Sequence, residues 1–83
     1  MILCVDPNQK ERERTETALA AEDLEAVGAG SLEEAVEYLH QNEEVECLIT
    51  EHDLPDGTGL ELIQQTREIA PDAACILFTE RSL

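Results

Sequence analysis

Four short apolar runs, each parted from the next by a stretch of helical spacing, restrict what this chain can fold into more than any other feature. They read MILCV (1–5), LEAVGA (24–29), ECLIT (46–50) and AACILFT (73–79). Short runs of this kind, bounded by turn residues, are strand signals. LEAVGA is the weaker of them. AACILFT is nearly continuous, the pattern of a strand covered on both faces of a parallel sheet. Three helices are expected between the runs. NQKERERTETALAAE (8–22) has Asn8 as a cap after Pro7, with Thr15, Ala18 and Leu19 at inward spacing. SLEEAVEYLHQ (31–41) sets Leu32, Ala35, Val36 and Leu39 on one face behind a Ser31/Glu34 capping box. TGLELIQQTREI (58–69) repeats the device with Thr58 and Glu61, turns Leu62, Ile63, Thr66 and Ile69 inward, and is stopped by Pro71. The order βαβαβαβ predicts one domain over residues 1–83, an α/β chain in three layers with right-handed crossovers. Repeats, low-complexity tracts and linkers are absent from the sequence.

Size and charge narrow the class. A chain of 83 residues buries only about 60% of its unfolded surface. It contains no apolar stretch near the roughly eighteen residues of a membrane span and opens on no signal-peptide pattern, so a soluble cytoplasmic protein is expected. Twenty acids face five Lys and Arg, for a formal charge of −15, and Lys10 is the only lysine. Such self-repulsion opposes compaction and is screened over ~3 Å in 1 M salt. A salt-rich, halophilic cytoplasm explains this composition better than a basic partner does, because the acids run from Asp6 to Glu80 rather than forming one patch. Direct nucleic-acid binding by this segment is not expected, since there is no basic stripe to neutralise phosphates. Cys4, Cys47 and Cys75 match no zinc spacing and read as small buried hydrophobes.

In a parallel α/β sheet, ligand chemistry collects at the carboxyl ends of the strands. That rule picks out Asp6 after the first strand, Glu51 after the third and Thr79 after the fourth. Around Glu51 runs LITEHDLPDGTGLEL (48–62), in which a strand-end acid is followed four residues later by Pro55, then by Gly57 or Gly59 and a helix. Together with ILCVDPN and ILFTERS, this segment resembles the receiver domain of response regulators in two-component phosphorelay signalling, over all 83 residues.

The resemblance implies a flavodoxin-like α/β/α fold with parallel strand order 2-1-3-4, here without the family's fifth strand and last helices. It implies a Mg²⁺ site built from two acids after the first strand, the phosphoacceptor, and a backbone carbonyl two residues beyond it. Those positions fall on Asp6, Pro7, Glu51 and Asp53. The switch hydroxyl falls on Thr79, and the family's phosphate-contacting lysine has no counterpart. Pro7 offers no side-chain oxygen, and glutamate extends one methylene farther than aspartate, toward the space of a phosphoryl group. Mg²⁺ binding is therefore expected to be weakened, and phosphotransfer, which rests on positioning and charge neutralisation, inefficient. Glu51 then stands either as a partial mimic of the phosphorylated state or as the remnant of a site. The resulting expectation is an atypical receiver that signals without phosphorylation and is not an enzyme beyond weak self-phosphorylation. The alternatives are a phosphoacceptor using Glu51 or Asp53 with Mg²⁺, and a structural dimerisation module. A histidine kinase is the implied upstream partner. A protein partner or a second copy is expected on the face that the absent C-terminal elements leave open. Asp56 in PDGTG reads as a turn acid, and His52 and His40 as solvated residues. If charge repulsion limits stability, the Tm should rise as KCl goes from about 0.1 M to about 2 M; a flat or falling Tm in calorimetry contradicts this.

Overall fold

The computed structural model describes residues 1–78. Strand β1 (Ile2–Val5) leads to helix α1 (Gln9–Ala21), β2 (Ala26–Ala29), α2 (Leu32–Gln41) and β3 (Cys47–Glu51). Two short strands follow, β4 (Asp53–Leu54) and β5 (Gly57–Thr58), then α3 (Gly59–Ile69) and β6 (Ala74–Phe78). The main sheet is parallel in the order β2-β1-β3-β6, so the four apolar runs lie in the expected order 2-1-3-4. The antiparallel hairpin β4–β5, pairing Asp53 with Thr58, was not expected from the sequence; two-residue strands leave no periodicity to read.

Alternation along the strands sorts the two faces. Leu3, Val5 and Leu48 join Ala35, Leu39 and Leu62 in one buried cluster beneath α2 and α3. Leu3, Leu48 and Leu62 are fully buried, which at about 1.5–3 kcal/mol for each such side chain is a large share of a small domain's stability. Thr66, also buried, satisfies its hydroxyl by donating to the Leu62 carbonyl at 2.8 Å. Helix α1 lies across β1 and β2 on the other face. It buries no residue completely: Thr15 and Leu19 are half-buried, and Ala18 is exposed. Strand β6 is likewise less covered than its composition suggests, with Ile76 50% and Leu77 39% exposed. A continuous apolar run reports strand character; coverage on both faces depends on neighbours that the run does not encode.

The helix starts follow their caps. Asn8 Oδ1 accepts from the Lys10 and Glu11 amides at 3.0 and 3.2 Å, and Ser31 Oγ accepts from Glu34 N–H at 3.1 Å. The reciprocal arm of that box reaches one residue farther back than expected, Glu34 Oε2 accepting from Gly30 N–H at 2.9 Å. Thr58 Oγ1 accepts from Glu61 N–H at 3.2 Å. At the end of α1, Leu24 N–H donates to the Leu19 carbonyl and Asp23 N–H to Ala20, both at 3.0 Å, with Asp23 left-handed at φ 61°. That is a Schellman stop with aspartate in the place usually taken by glycine.

Asp56 does more than serve its own turn. Its two carboxylate oxygens accept from the Leu32 and Glu33 amides at 2.8 and 2.9 Å, so the β3–α3 loop caps α2 from 24 residues away. These two backbone bonds, Glu33 first, hold its pKa below the usual aspartate value. Because the folded value is depressed, the capping contribution is complete above the unfolded pKa of about 3.9 and is lost as pH falls through the lower folded value. Hydrogen exchange should show Leu32 and Glu33 losing protection in Asp56→Ala at neutral pH, while the amides of α3 keep theirs. Gly59 supplies the other local constraint. A Cβ there would lie 2.6 Å from the Glu51 carbonyl oxygen and 3.2 Å from Thr50 Cγ2. Gly59→Ala should therefore cost about 1–3 kcal/mol in urea unfolding; a neutral or stabilising result contradicts this packing.

Candidate functional site

The parallel register sets the site. Val5 pairs with Thr50, so the next residues of the two strands, Asp6 and Glu51, stand side by side at the carboxyl edge of the sheet. Asp6 N–H donates to the Ala29 carbonyl at 3.1 Å, carrying the β1–β2 ladder one residue past the strand. Both acids are enclosed, Asp6 at 6% and Glu51 at 8% exposure. Each carboxylate finds a backbone donor nearby: Asp6 Oδ1 accepts from Asn8 N–H at 2.9 Å, and Glu51 Oε1 from His52 N–H at 3.1 Å. The His52 amide also donates to the Phe78 carbonyl at 3.1 Å, tying the end of β3 to the end of β6.

The extra methylene of Glu51 is thus used to curl the carboxylate back onto the following amide. Gly59 N–H donates to the His52 carbonyl at 2.8 Å, and the first turn of α3 presses against the Glu51 backbone. The positive end of that helix faces an edge that carries two carboxylates, a favourable arrangement.

Arg12, a residue that sequence reasoning missed, reaches the same edge from α1. Its Nη1 donates to the Asp6 carbonyl at 2.9 Å. The available signal was its place one turn beyond the Asn8 cap, directly after the Asp6 strand end. Pro7 is exposed and offers no oxygen from its side chain. Asp53 is exposed in β4, and the Asp56 carboxylate is engaged at the start of α2. Thr79, assigned the switch hydroxyl, lies outside the described residues. His52 is half-buried beside Glu51, whereas His40 is exposed in the last turn of α2. Among the described residues, no group of three or more His, Cys, Asp or Glu is placed to hold a metal ion. The donor set at this edge is two enclosed carboxylates plus backbone oxygens, which fits a largely hydrated divalent ion resting on one or two carboxylates.

The three cysteines are free thiols. Burial first, then Glu16 and Cys47, push Cys4 up to about 11. Burial likewise raises Cys47 and Cys75. Thiols kept protonated in this way are poor nucleophiles and metal ligands; only Cys4 is buried as the sequence suggested, while Cys47 and Cys75 are half-buried.

No helix among the described residues is long and apolar enough to cross a membrane. The sequence profile of the response regulator receiver domain matches residues 2–82. No curated protein matches the chain in sequence. Among solved structures, a response regulator receiver protein from Pseudomonas putida superposes with a TM-score of 0.89 at 30% identity, covering 99% of this chain and 69% of that one. Response regulator protein TrrA from Thermotoga maritima, solved in complex with Mg²⁺-BeF, gives 0.90 at 31% identity, covering 98% and 70%. A CheY-like receiver domain protein from Methanospirillum hungatei gives 0.90 at 26% identity, covering 99% and 65%. The chain thus spans about two thirds of the length of these solved receivers. With the parallel 2-1-3-4 sheet and an acid at the tip of its third strand, the chain belongs to the response regulator receiver domain family.

Proposed function

We propose that this receiver works in two-component signalling without being phosphorylated, with Glu51 a fixed carboxylate at the phosphoacceptor position. The observation that supports this most is the state of Glu51: enclosed at 8% exposure and held by its own neighbour's amide at 3.1 Å. A solvated remnant at a loop rim has neither property. An enclosed anion beside Asp6 gives this edge a permanent charge, in a place where related receivers acquire theirs by modification. The module is a protein-binding switch position rather than an enzyme, with at most weak self-phosphorylation.

Mg²⁺, where bound, would rest on Asp6 and Glu51 with the Asp53 carbonyl, and would supply charge neutralisation for an incoming phosphoryl group. Asp6 and Glu51 each already accept a backbone amide, and Pro7 contributes no oxygen. The expected affinity is therefore lower than that of a site with a third carboxylate. A histidine kinase would meet this edge of the sheet. A protein partner, or a second copy, would cover β6, where Ile76 and Leu77 are exposed.

Intact-mass measurement after incubation with Mg²⁺ and acetyl phosphate should show no added ~80 Da. A phosphoryl adduct that disappears in Glu51→Ala, or in Asp53→Ala, overturns the proposal.

A further inference from the structure

At the edge of the sheet opposite Asp6 and Glu51, the last turns of α2 and α3 border a cleft of about 590 Å³. Its floor is apolar: Leu39 and Val45 are buried there and Ile69 half-buried. Its rim carries Glu43, Glu68 and Asp72, all exposed, against one histidine, His40, and no lysine or arginine lines it. Two helix C-termini add to the same potential. The last carbonyls of a helix lack intrahelical donors and together amount to roughly −0.5 charge per terminus. At α2, one of these carbonyls, Tyr38, accepts from Asn42 Nδ2 at 3.0 Å. Arg67, the basic residue in the last turn of α3, is absent from the lining. The cleft therefore joins an apolar floor to negative charge from three side chains and two helix ends.

We propose that this cleft is a docking groove for a basic amphipathic segment of a partner protein. An aliphatic side chain of the partner enters between Leu39, Val45 and Ile69, and flanking lysines or arginines meet Glu43, Glu68 and Asp72. Charge selects this occupant over the others. A second copy brings the same excess of acids, twenty against five basic residues, and nucleic acid is itself a polyanion. The volume suits a few side chains of a helical or extended segment. Complementary charge at the rim speeds encounter and sets register, while the apolar floor supplies desolvation. The groove lies at the opposite edge from Glu51 and shares no lining residue with it.

The test is an amide NMR titration of the intact chain with synthetic peptides, at the lowest salt that keeps it folded. A Leu/Lys amphipathic peptide should shift Val45, Ile69 and Ala73 saturably, and its Leu/Gln counterpart should bind more weakly. Glu43→Lys/Glu68→Lys/Asp72→Lys should weaken binding by about tenfold or more. Glu22→Lys/Glu25→Lys/Glu37→Lys, which changes the net charge equally on other exposed positions, should leave affinity within about twofold. Equal losses in both variants, or shifts scattered over the surface, overturn the proposal. So does spermine alone producing the same shifts at the same affinity, which reassigns the cleft to small cations. Concentration-dependent self-association through the same residues also overturns it, in favour of a second copy.

Discussion

The parallel pairing of β1 with β3 is the constraint on which the rest of this structure depends. It sets Val5 against Thr50 and so brings Asp6 and Glu51 to the edge together. It also aligns Leu3, Val5 and Leu48 on the face that α2 and α3 cover. A one-residue slip would turn those side chains to the opposite face and separate the two acids in the same stroke. The core and the candidate site are two consequences of one register.

Gly59 and Asp56 adapt the β3–α3 loop to that register. Gly59 lets the first turn of α3 lie against the Glu51 carbonyl, where a side chain would collide. Asp56 carries the same loop to the start of α2 through two backbone bonds. The loop that bears Glu51 is thereby joined to both helices of the covered face. A rearrangement at Glu51 has a short physical route to α2 and α3, with a carboxylate cap and a tight helix start as its moving parts.

Much of this was legible in the sequence because it rests on local rules. Caps at Asn8, Ser31 and Thr58 were readable from single residues, the succession of strands and helices followed from the alternating apolar runs, and the strand order 2-1-3-4 came from the family resemblance. The sequence also pointed to Asp6 and Glu51, since strand-end acids are visible once strands are. Features that depend on tertiary neighbours were not legible. Asp56 looks like an ordinary turn acid until α2 is placed beside it. Arg12 looks like one of several charges on α1 until its reach to the Asp6 carbonyl is seen. The exposure of Ile76 and Leu77 is a property of what lies next to β6, which an apolar run does not record. The curl of Glu51 onto His52 N–H is likewise a matter of rotamer and enclosure, and residue type alone suggested a carboxylate reaching outward.

The family's chemistry asks for an aspartate with its oxygens free to meet a metal and a phosphoryl group. This edge presents a glutamate whose carboxylate is enclosed and already paired with an amide, and Asp6 is followed by Pro7, which has no side-chain oxygen. The most direct measurement is an amide spectrum recorded with and without Mg²⁺ and beryllofluoride, the mimic of a bound phosphoryl group. Beryllofluoride should add no shift to the resonances of Asp6, Glu51 and His52 beyond that of Mg²⁺ alone if Glu51 is a fixed, unmodified carboxylate. Saturable shifts of these three residues that require both Mg²⁺ and beryllofluoride would contradict it.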